Sequence, residues 1–496
     1  MSTITHCKSK VYIPDEQTPL LPKSLIDDVP SYPNFNIWWS EFCLLVKSST
    51  PVVLTYMLQN SIQLASIFSL GHLVSFLLGL IQLAVAALAN MFASVTCWSV
   101  SIGISTALDT LGSQAYTGSN DPHALGVYLQ RAIGIMSIIF VPISFLWWNA
   151  EYLLLWLRQD PELAALAGQF LRYLLPGAFP FVCFECVKRY LQAQGIMHAS
   201  TYVLLIASPL NALTNYLFVW REPFKLGFIG APLATSCTYG IMLLLLVLYV
   251  KFVAGGDAWG GWSRKALQGW LPFLKLAFPG TIMICCEWWA FQVSGLAAAY
   301  FGTVALAAQS ILLTSSSLCF TIPMGISIAS SNRVGNLLGS GRPNHAKLAA
   351  YCSLILAFLF GSLNSTVLFS LRNVWGYLFN DDEKVVSLVA QVLPISAMFQ
   401  IFDGLGGVTG GVLRGQGKQE IGAYVNIAAY YLIALPIGYW LVFVRDGSLP
   451  GIWSAFLIAL FGVSVGQLTS ILRTNWIEEV RKSKERVKIE SDSETL

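Results

Sequence analysis

Charge is what this chain of 496 residues has least of. Asp, Glu, Lys and Arg together make up 11% of it, where a soluble globular chain carries about 25%. Hydrophobic residues make up 55%, and mean hydropathy is +0.63. That balance excludes an ordinary soluble domain and describes a polytopic membrane protein. The net charge is only +3, and no basic stripe is interleaved with aromatics, so nucleic acid is not an expected partner. There is no Gly-x4-Gly-Lys-Ser/Thr loop, hence no machinery for ATP-driven pumping. The ten cysteines are scattered. Cys183 and Cys186 come nearest to a ligand pair, but they sit in an apolar run with no second pair. Neither a metal nor another cofactor is expected. No nucleophile–base spacing marks an enzyme. The Asn-x-Ser/Thr sequon at Asn364 lies inside a hydrophobic run, where glycosylation is not expected.

What the chain has in quantity is apolar runs long enough to cross a bilayer. Twelve stand out, with cores at 42–69, 77–105, 129–149, 164–187, 201–220, 229–252, 273–299, 304–330, 349–370, 385–412, 421–444 and 450–472. Residues 1–41 are polar and carry Pro14, Pro19, Pro22 and Pro30. They read as a disordered cytosolic tail and not as a signal peptide. Within the tail, Glu16 with Leu20 and Leu21 resembles an acidic dileucine sorting signal, the alternative being plain tail. Of the 29 Lys and Arg residues, seven fall on one side of the membrane (Arg158, Arg172, Arg221, Lys225, Arg372, Lys384 and Arg445) and 22 on the other. The richer side is expected to be cytosolic, with both termini there. From Arg473 the tail is charged and helix-prone, then acidic and expected to be disordered.

The chain also repeats itself. Gly103-Ile-Ser105 recurs as Gly325-Ile-Ser327, His123-Ala124 as His345-Ala346, and Leu191 to Gly195 as Leu413 to Gly417, all at an offset of 222 residues. One such match is trivial; three at one offset are not. They divide the chain into an N-lobe at 42–252 and a C-lobe at 268–472. A glycine-rich cytosolic loop at 253–267 joins them, and 473–496 is the C-terminal tail. Six spans per lobe is an even number, so the repeat is parallel, about an axis along the membrane normal. The expected fold is all-α, with twelve transmembrane helices in two six-helix pseudo-symmetric lobes. A cleft between two such lobes is the architecture of alternating access.

Acids inside the spans are few, and each needs a reason, because a charge at the bilayer centre costs at least ~2.5–3.5 kcal/mol. Asp109 and Glu185 lie near cytosolic ends, and Glu185 has Lys188 and Arg189 beside it. Snorkelling, capping or pairing explains them. Glu287 and Asp403 lie deeper, and neither has a basic neighbour in the chain. Glu287 is about 14 residues, roughly 21 Å, into its helix. Lone intramembrane acids normally face a bundle interior or water. Two of them that gain and lose protons suit a proton carrier that also holds a cation. The span around Asp403, "FDGLGGVTGGVLRGQG", is rich in glycine, which weakens a helix or lets helices pack closely. Trp288 and Phe291 flank the face of Glu287 better than Trp289 does, at 100° per residue, and a flat cation stacks on such rings.

These stretches resemble the multidrug and toxic compound extrusion (MATE) transporters in their eukaryotic, fungal-type branch. The resemblance is carried by Pro51, Gln59 and Gly71-His72-Leu73 in the first span, "ALDTLGSQAYTG" at 107–118, "KRYLQAQG" at 188–195 and "EWWAF" at 287–291. It continues through "RVGNLLGSG" at 333–341, "LRGQGKQ" at 413–419 and "GAYVNIAAYYLIALPIG" at 422–438. The resemblance implies an antiporter that exports organic compounds, often cationic, in exchange for protons or sodium. It implies coupling acids on the seventh and tenth helices, at Glu287 and Asp403. Gln59, Asn426, Tyr430 and Tyr431 match positions around the cavity, and Trp288, Gln292 and Gln309 complete the candidate contacts. Two departures matter. Some animal members carry a second glutamate where this chain has Gln292, which tells against strongly cationic selectivity. Some bacterial members use an aspartate on the first helix, and the stretch 51–70 here has no acid, so coupling through the N-lobe is not expected.

The expectation is therefore a proton-coupled antiporter that needs no cofactor and works as a monomer in the lipid bilayer. Its expected seat is the membrane of a vacuole or other acidic organelle, with the plasma membrane second. Sodium coupling and an uncoupled carrier of the same fold remain open. A channel or non-transporting scaffold is the rival from another class.

Overall fold

The computed structural model describes residues 35–71 and 76–493. The Glu16, Leu20 and Leu21 stretch of the tail, and His72-Leu73 after the first span, lie outside the described residues. In hydrocarbon a backbone has only its own groups to bond, so long apolar runs become helices. The first lobe holds α1 (Phe35–Gly71), α2 (Phe76–Ala93), α3 (Ser99–Gly118), α4 (Ala124–Trp148), a short α5 (Ala150–Trp156), α6 (Pro161–Ala193), α7 (Ala199–Trp220) and α8 (Gly230–Phe252). The second holds α9 (Trp270–Tyr300), α10 (Thr303–Gly339), α11 (Pro343–Ser370), α12 (Glu383–Gln416), α13 (Gln419–Ile427), α14 (Leu435–Tyr439) and α15 (Ser448–Leu472). α16 (Trp476–Ser493) closes the chain. A π-helical turn at Ser94–Trp98 joins α2 and α3 into one span, and another at Ala428–Ala434 joins α13 to α14. Among the described residues, twelve helices are long and apolar enough to cross a membrane, in the order of the twelve apolar runs.

Helix ends follow local chemistry. Asp160 caps α6 by accepting from the Glu162 and Leu163 amides, with Pro161 at the first helical position, where its missing N–H costs nothing. The repeated Gly195 and Gly417 stop α6 and α12 in the left-handed region, at φ +80° and +74°, which suits glycine.

The first helix of each lobe leans across to the other lobe. α9 packs against α3, and α1 packs against α10. The repeated glycines Gly103 and Gly325 sit at these two crossings. A Cβ on Gly103 would lie 2.4 Å from the Thr281 Cα, and one on Gly325 would lie 2.4 Å from Val53 Cγ2. The N-lobe core, built on residues such as Leu108, Trp147 and Phe184, accordingly takes in Phe273 and Ala277 of α9. The C-lobe has its own core around Leu393, Phe399 and Trp453.

Both ends of the described chain lie at one end of the bundle, its base, and both depart from the expected tails. α1 starts at Phe35, so residues 35–41 are helix. Glu41 there binds Arg333 of α10 through both carboxylate oxygens, at 2.7 and 2.8 Å. α16 continues through the acidic stretch to Ser493, because it has an apolar face to bury: Trp476 and Val480 join a cluster with Leu45, Leu338 and Leu413. Arg486 of α16 then donates to Gln114 Oε1 (3.2 Å) in the N-lobe and to the Gln416 carbonyl (3.0 Å) in the C-lobe.

Candidate functional site

A cavity of about 420 Å³ lies between the lobes. Glu287 and Asp403 both line it. Asp403 is 3% exposed, while Glu287 is partly exposed. α9 delivers Glu287 eight residues after Pro279, and α12 delivers Asp403 just before Gly404, Gly406 and Gly407. The small residues leave room for the cavity beside the acid. Arg414, two turns further along α12 from Gly407, lines the same cavity. Its Nη2 donates to Ser327 Oγ (2.8 Å), which in turn donates to the Gly407 carbonyl (2.6 Å).

The wall around the acids is held by a chain of hydrogen bonds. Asn426 donates to the Met283 carbonyl of α9 (3.1 Å), Gln467 donates to Asn426 Oδ1 (2.9 Å), and Thr409 donates to Gln467 Oε1 (2.8 Å). These bonds tie α9, α12, α13 and α15 together. The Tyr430 hydroxyl is buried beside them with no hydrogen-bond partner among the described residues. Two carboxylates and one guanidinium on a cavity wall can bind a cation, bind protons, or exchange one for the other. Among the described residues, no group of three His, Cys, Asp and Glu side chains is arranged to hold a metal ion.

On the N-lobe side, Glu185 pairs with Lys188 (2.6 Å), and Gln59 donates to the same oxygen at 3.1 Å. Below them Arg189 and Asp109 form an ion pair, with Arg189 Nε also donating to Ser105 Oγ (2.7 Å). Arg414 Nε lies 3.8 Å from Asp109 Oδ2, across the lobe boundary. These charges are paired and enclosed rather than snorkelling: Asp109, Glu185, Lys188 and Arg189 are each at most 2% exposed.

The base of the cavity is shut. Thr110 donates to the Arg414 carbonyl (2.5 Å), Gln114 to the Gly415 carbonyl (3.0 Å), and Gln419 to Thr110 Oγ1 (2.7 Å). Thr117 donates to the Asn336 carbonyl (2.8 Å), and Asn336 donates back to the Ala193 carbonyl (3.2 Å). All five bonds join one lobe to the other. Gly339 permits this approach, since a Cβ on it would lie 2.5 Å from the Gln114 carbonyl oxygen.

Of the residues expected around a cavity, Gln59, Glu287, Trp288, Gln292, Asp403, Asn426 and Tyr430 line it. Gln309 and Tyr431 do not. Gln309 is buried in the C-lobe, accepting from Trp453 Nε1 (2.8 Å) and donating to Ser294 Oγ (3.0 Å). Tyr431 turns away, its hydroxyl 3.4 Å from the Cys286 carbonyl. Phe291 lines the cavity as its helical position requires, while Trp289 donates to the Val95 carbonyl in the π-turn of the N-lobe (3.2 Å). Sequence reasoning passed over Arg414. The signal was an arginine inside the glycine-rich stretch of Asp403, about three helical turns along the same helix.

Comparison with known proteins agrees with this architecture. The MatE family pattern matches residues 51–217 and 279–440. The chain is 42% identical to an uncharacterized transporter of Schizosaccharomyces pombe, over 89% of this chain and 81% of that protein. It is 36% identical to human multidrug and toxin extrusion protein 1, over 88% and 75%, and 36% identical to protein DETOXIFICATION 16 of Arabidopsis thaliana, over 89% and 90%. The crystal structure of the eukaryotic MATE transporter AtDTX14 superposes with a TM-score of 0.85 at 30% identity, covering 91% of this chain and 99% of that one. The chain therefore belongs to the MATE family, as a multi-pass membrane transporter of the eukaryotic kind and not an enzyme.

Proposed function

We propose that this transporter exports small organic compounds, often cationic, from the cytosol in exchange for protons, with Glu287 and Asp403 as the coupling site. The observation that carries the reading is that both acids open onto one cavity whose base is shut. With the base on the cytosolic side, the cavity faces the opposite compartment. There each carboxylate takes up a proton, loses its charge and releases a bound cation. The lobes then rock, the base opens, the protons leave to the cytosol, and the carboxylates bind the next cation. Exchange is strict when proton and cargo exclude one another on the same groups.

Arg414 supports the link between site and seal. Its side chain lines the cavity with the acids, and its carbonyl accepts the Thr110 hydroxyl in the seal. A change of charge in the cavity therefore acts on a residue that holds the base closed. The Glu16, Leu20 and Leu21 stretch supports the membrane of a vacuole or another acidic organelle as the site of action, and the transport unit is a monomer.

The test is reconstitution with an acid-inside pH gradient, a fluorescent organic cation outside, and a lumenal pH dye. Gradient-dependent dye entry with proton exit, abolished by Glu287→Gln and by Asp403→Asn, supports the reading. Equal entry without a gradient makes the protein an uncoupled carrier. Entry driven by a sodium gradient instead makes sodium the coupling ion. Normal exchange by both variants removes the acids from the mechanism.

A further inference from the structure

The N-lobe wall of the cavity carries a polar group that the coupling cycle does not use. Glu185 borders the cavity. Both of its hydrogen-bond donors, Lys188 Nζ and Gln59 Nε2, converge on Oε1. Oε2 is buried and has no partner among the described residues. A buried acceptor left unpaired is costly, and a charged one more so. Beside it stand three rings that also line the cavity. Trp98 and Phe181 have centroids 4.6 Å apart, and Phe181 and Tyr239 4.8 Å. Trp98 is brought to the cavity at the end of the π-turn that joins α2 to α3, a feature that often marks functional positions. An aromatic surface next to an unfilled carboxylate oxygen is a recognition surface for a flat cation.

Lys188 makes the choice of cargo more specific. Its charge cancels that of Glu185, so this wall offers a monocation little net attraction. What it offers is a directional acceptor, which only an N–H or O–H donor can fill. From this we propose that the N-lobe wall, Glu185 with Trp98, Phe181 and Tyr239, is a second recognition point, selecting aromatic cargo that bears a protonated amine, amidine or guanidine over cargo bearing a quaternary ammonium. The Glu185 carboxylate turns to present Oε2 to the cavity, the cargo's N–H donates to it, and the cargo's ring lies against the cavity-facing edges of the aromatic group, on the lobe opposite Glu287. A site built to receive a hydrogen bond discriminates strongly against an analogue that lacks the donor. This inference rests on the export reading for its meaning as cargo choice, but its test does not depend on coupling.

The experiment measures equilibrium binding to the purified full chain, without a membrane gradient. Two probes are compared: a dansyl group on a primary alkylamine, and the same molecule with the amine trimethylated. Both carry one positive charge and the same sulfonamide N–H, and only the first has N–H donors on its charged nitrogen. Wild type is expected to bind the primary amine about tenfold or more tightly than its trimethyl analogue, and Glu185→Gln to bring the ratio to within about twofold of one. Glu185→Asp keeps a charge for Lys188 but withdraws the oxygen by one methylene, so it is expected to give an intermediate ratio. It serves if Glu185→Gln fails to fold. A wild-type ratio near one, or a wild-type ratio retained in either variant, overturns the proposal. A wild-type ratio near one alongside intact proton-coupled uptake would overturn this inference and leave the antiport reading standing. A ratio of about tenfold in wild type that is lost in Glu185→Gln, in protein that transports without proton coupling, would leave this inference standing and remove the antiport reading.

Discussion

Gln114 of α3 donates to the carbonyl of Gly415 in α12 at 3.0 Å, and so binds the N-lobe to the C-lobe at the base of the cavity. The same glutamine accepts from Arg486 through its Oε1. Its side chain is fully buried, and opening the base breaks both bonds. A neutral buried hydrogen bond contributes ~0.5–1.5 kcal/mol net, which is roughly a two- to tenfold change in population. Gln114→Leu removes this neutral bond and the Arg486 contact together, and is expected to shift the protein towards the base-open form by at least that factor. Distance distributions between spin labels on the base ends of α3 and α10 should gain a longer population. An unchanged distribution would remove these bonds from the gate.

The crossing of α3 and α9 makes a sharper demand. A methyl group on Gly103 would stand 2.4 Å from a backbone atom, the Thr281 Cα, so no side-chain rotation relieves it. Gly103→Ala has to separate the two helices. Overpacking of this kind costs ~1–3 kcal/mol. A lower midpoint of thermal unfolding is expected, together with loss of transport, because α9 also carries Glu287. Gly325→Ala meets the Val53 side chain at 2.4 Å, with the nearest backbone atoms, of Ser49 and Val53, at 3.1 Å, and is expected to be the milder of the two. Comparing the two midpoints tests the difference, and equal effects would count against it.

Much of this was legible in the amino-acid order, for identifiable reasons. A bilayer-length apolar run has only one stable form in hydrocarbon, so the twelve spans follow from composition alone. Glu287 and Asp403 could be singled out because a carboxylate is so costly there. Trp288 and Phe291 could be ordered about Glu287 because α9 is a regular helix. What could not be read depends on tertiary packing or irregular helix. The side chain of Arg414 is brought into the cavity by how α12 packs against α10. Tyr430 and Tyr431 are adjacent and chemically alike. They sit in a π-helical segment, where the usual 100° step does not apply, and only Tyr430 lines the cavity. Gln309 is polar, helical and deep, which fits a cavity wall and a core hydrogen bond equally well until Trp453 is seen beside it.

Gln309 and Gln292 are therefore expected to part company on substitution. Gln309→Leu strips the Trp453 indole of its acceptor inside the C-lobe core and takes a donor from the Ser294 hydroxyl, which still donates to the Phe291 carbonyl. A buried group left unpaired costs ~1–3 kcal/mol. Thermal stability should fall clearly, while the dissociation constant for a fluorescent cation stays within about twofold of wild type. Gln292→Leu alters the cavity wall itself and should change that constant with little effect on stability. Measuring both quantities on both variants decides the matter. A large binding defect in folded Gln309→Leu would return that residue to the cavity.

The last prediction concerns α16. It packs against α3 of the N-lobe and against α10 and α11 of the C-lobe. Lys418 and Glu479 pair at 3.1 Å between α16 and the start of α13, and Arg486 reaches both lobes. A strap fastened to both lobes at the base favours the shut form by whatever it loses on opening. Hydrogen bonds to a charged donor contribute ~1.5–3 kcal/mol. Arg486→Gln should thus weaken closure more than Gln114→Leu does. Ending the chain after Thr474 removes the helix entirely and should weaken closure further. Amide exchange in the segments around Gln114 and Gln416 gives the readout. Both segments should exchange faster in Arg486→Gln and faster still in the shortened chain, with the far ends of the same helices unaffected. Faster exchange throughout α3 and α12 would instead mean that α16 supports the fold as a whole, and unchanged exchange would mean that the base is held without it.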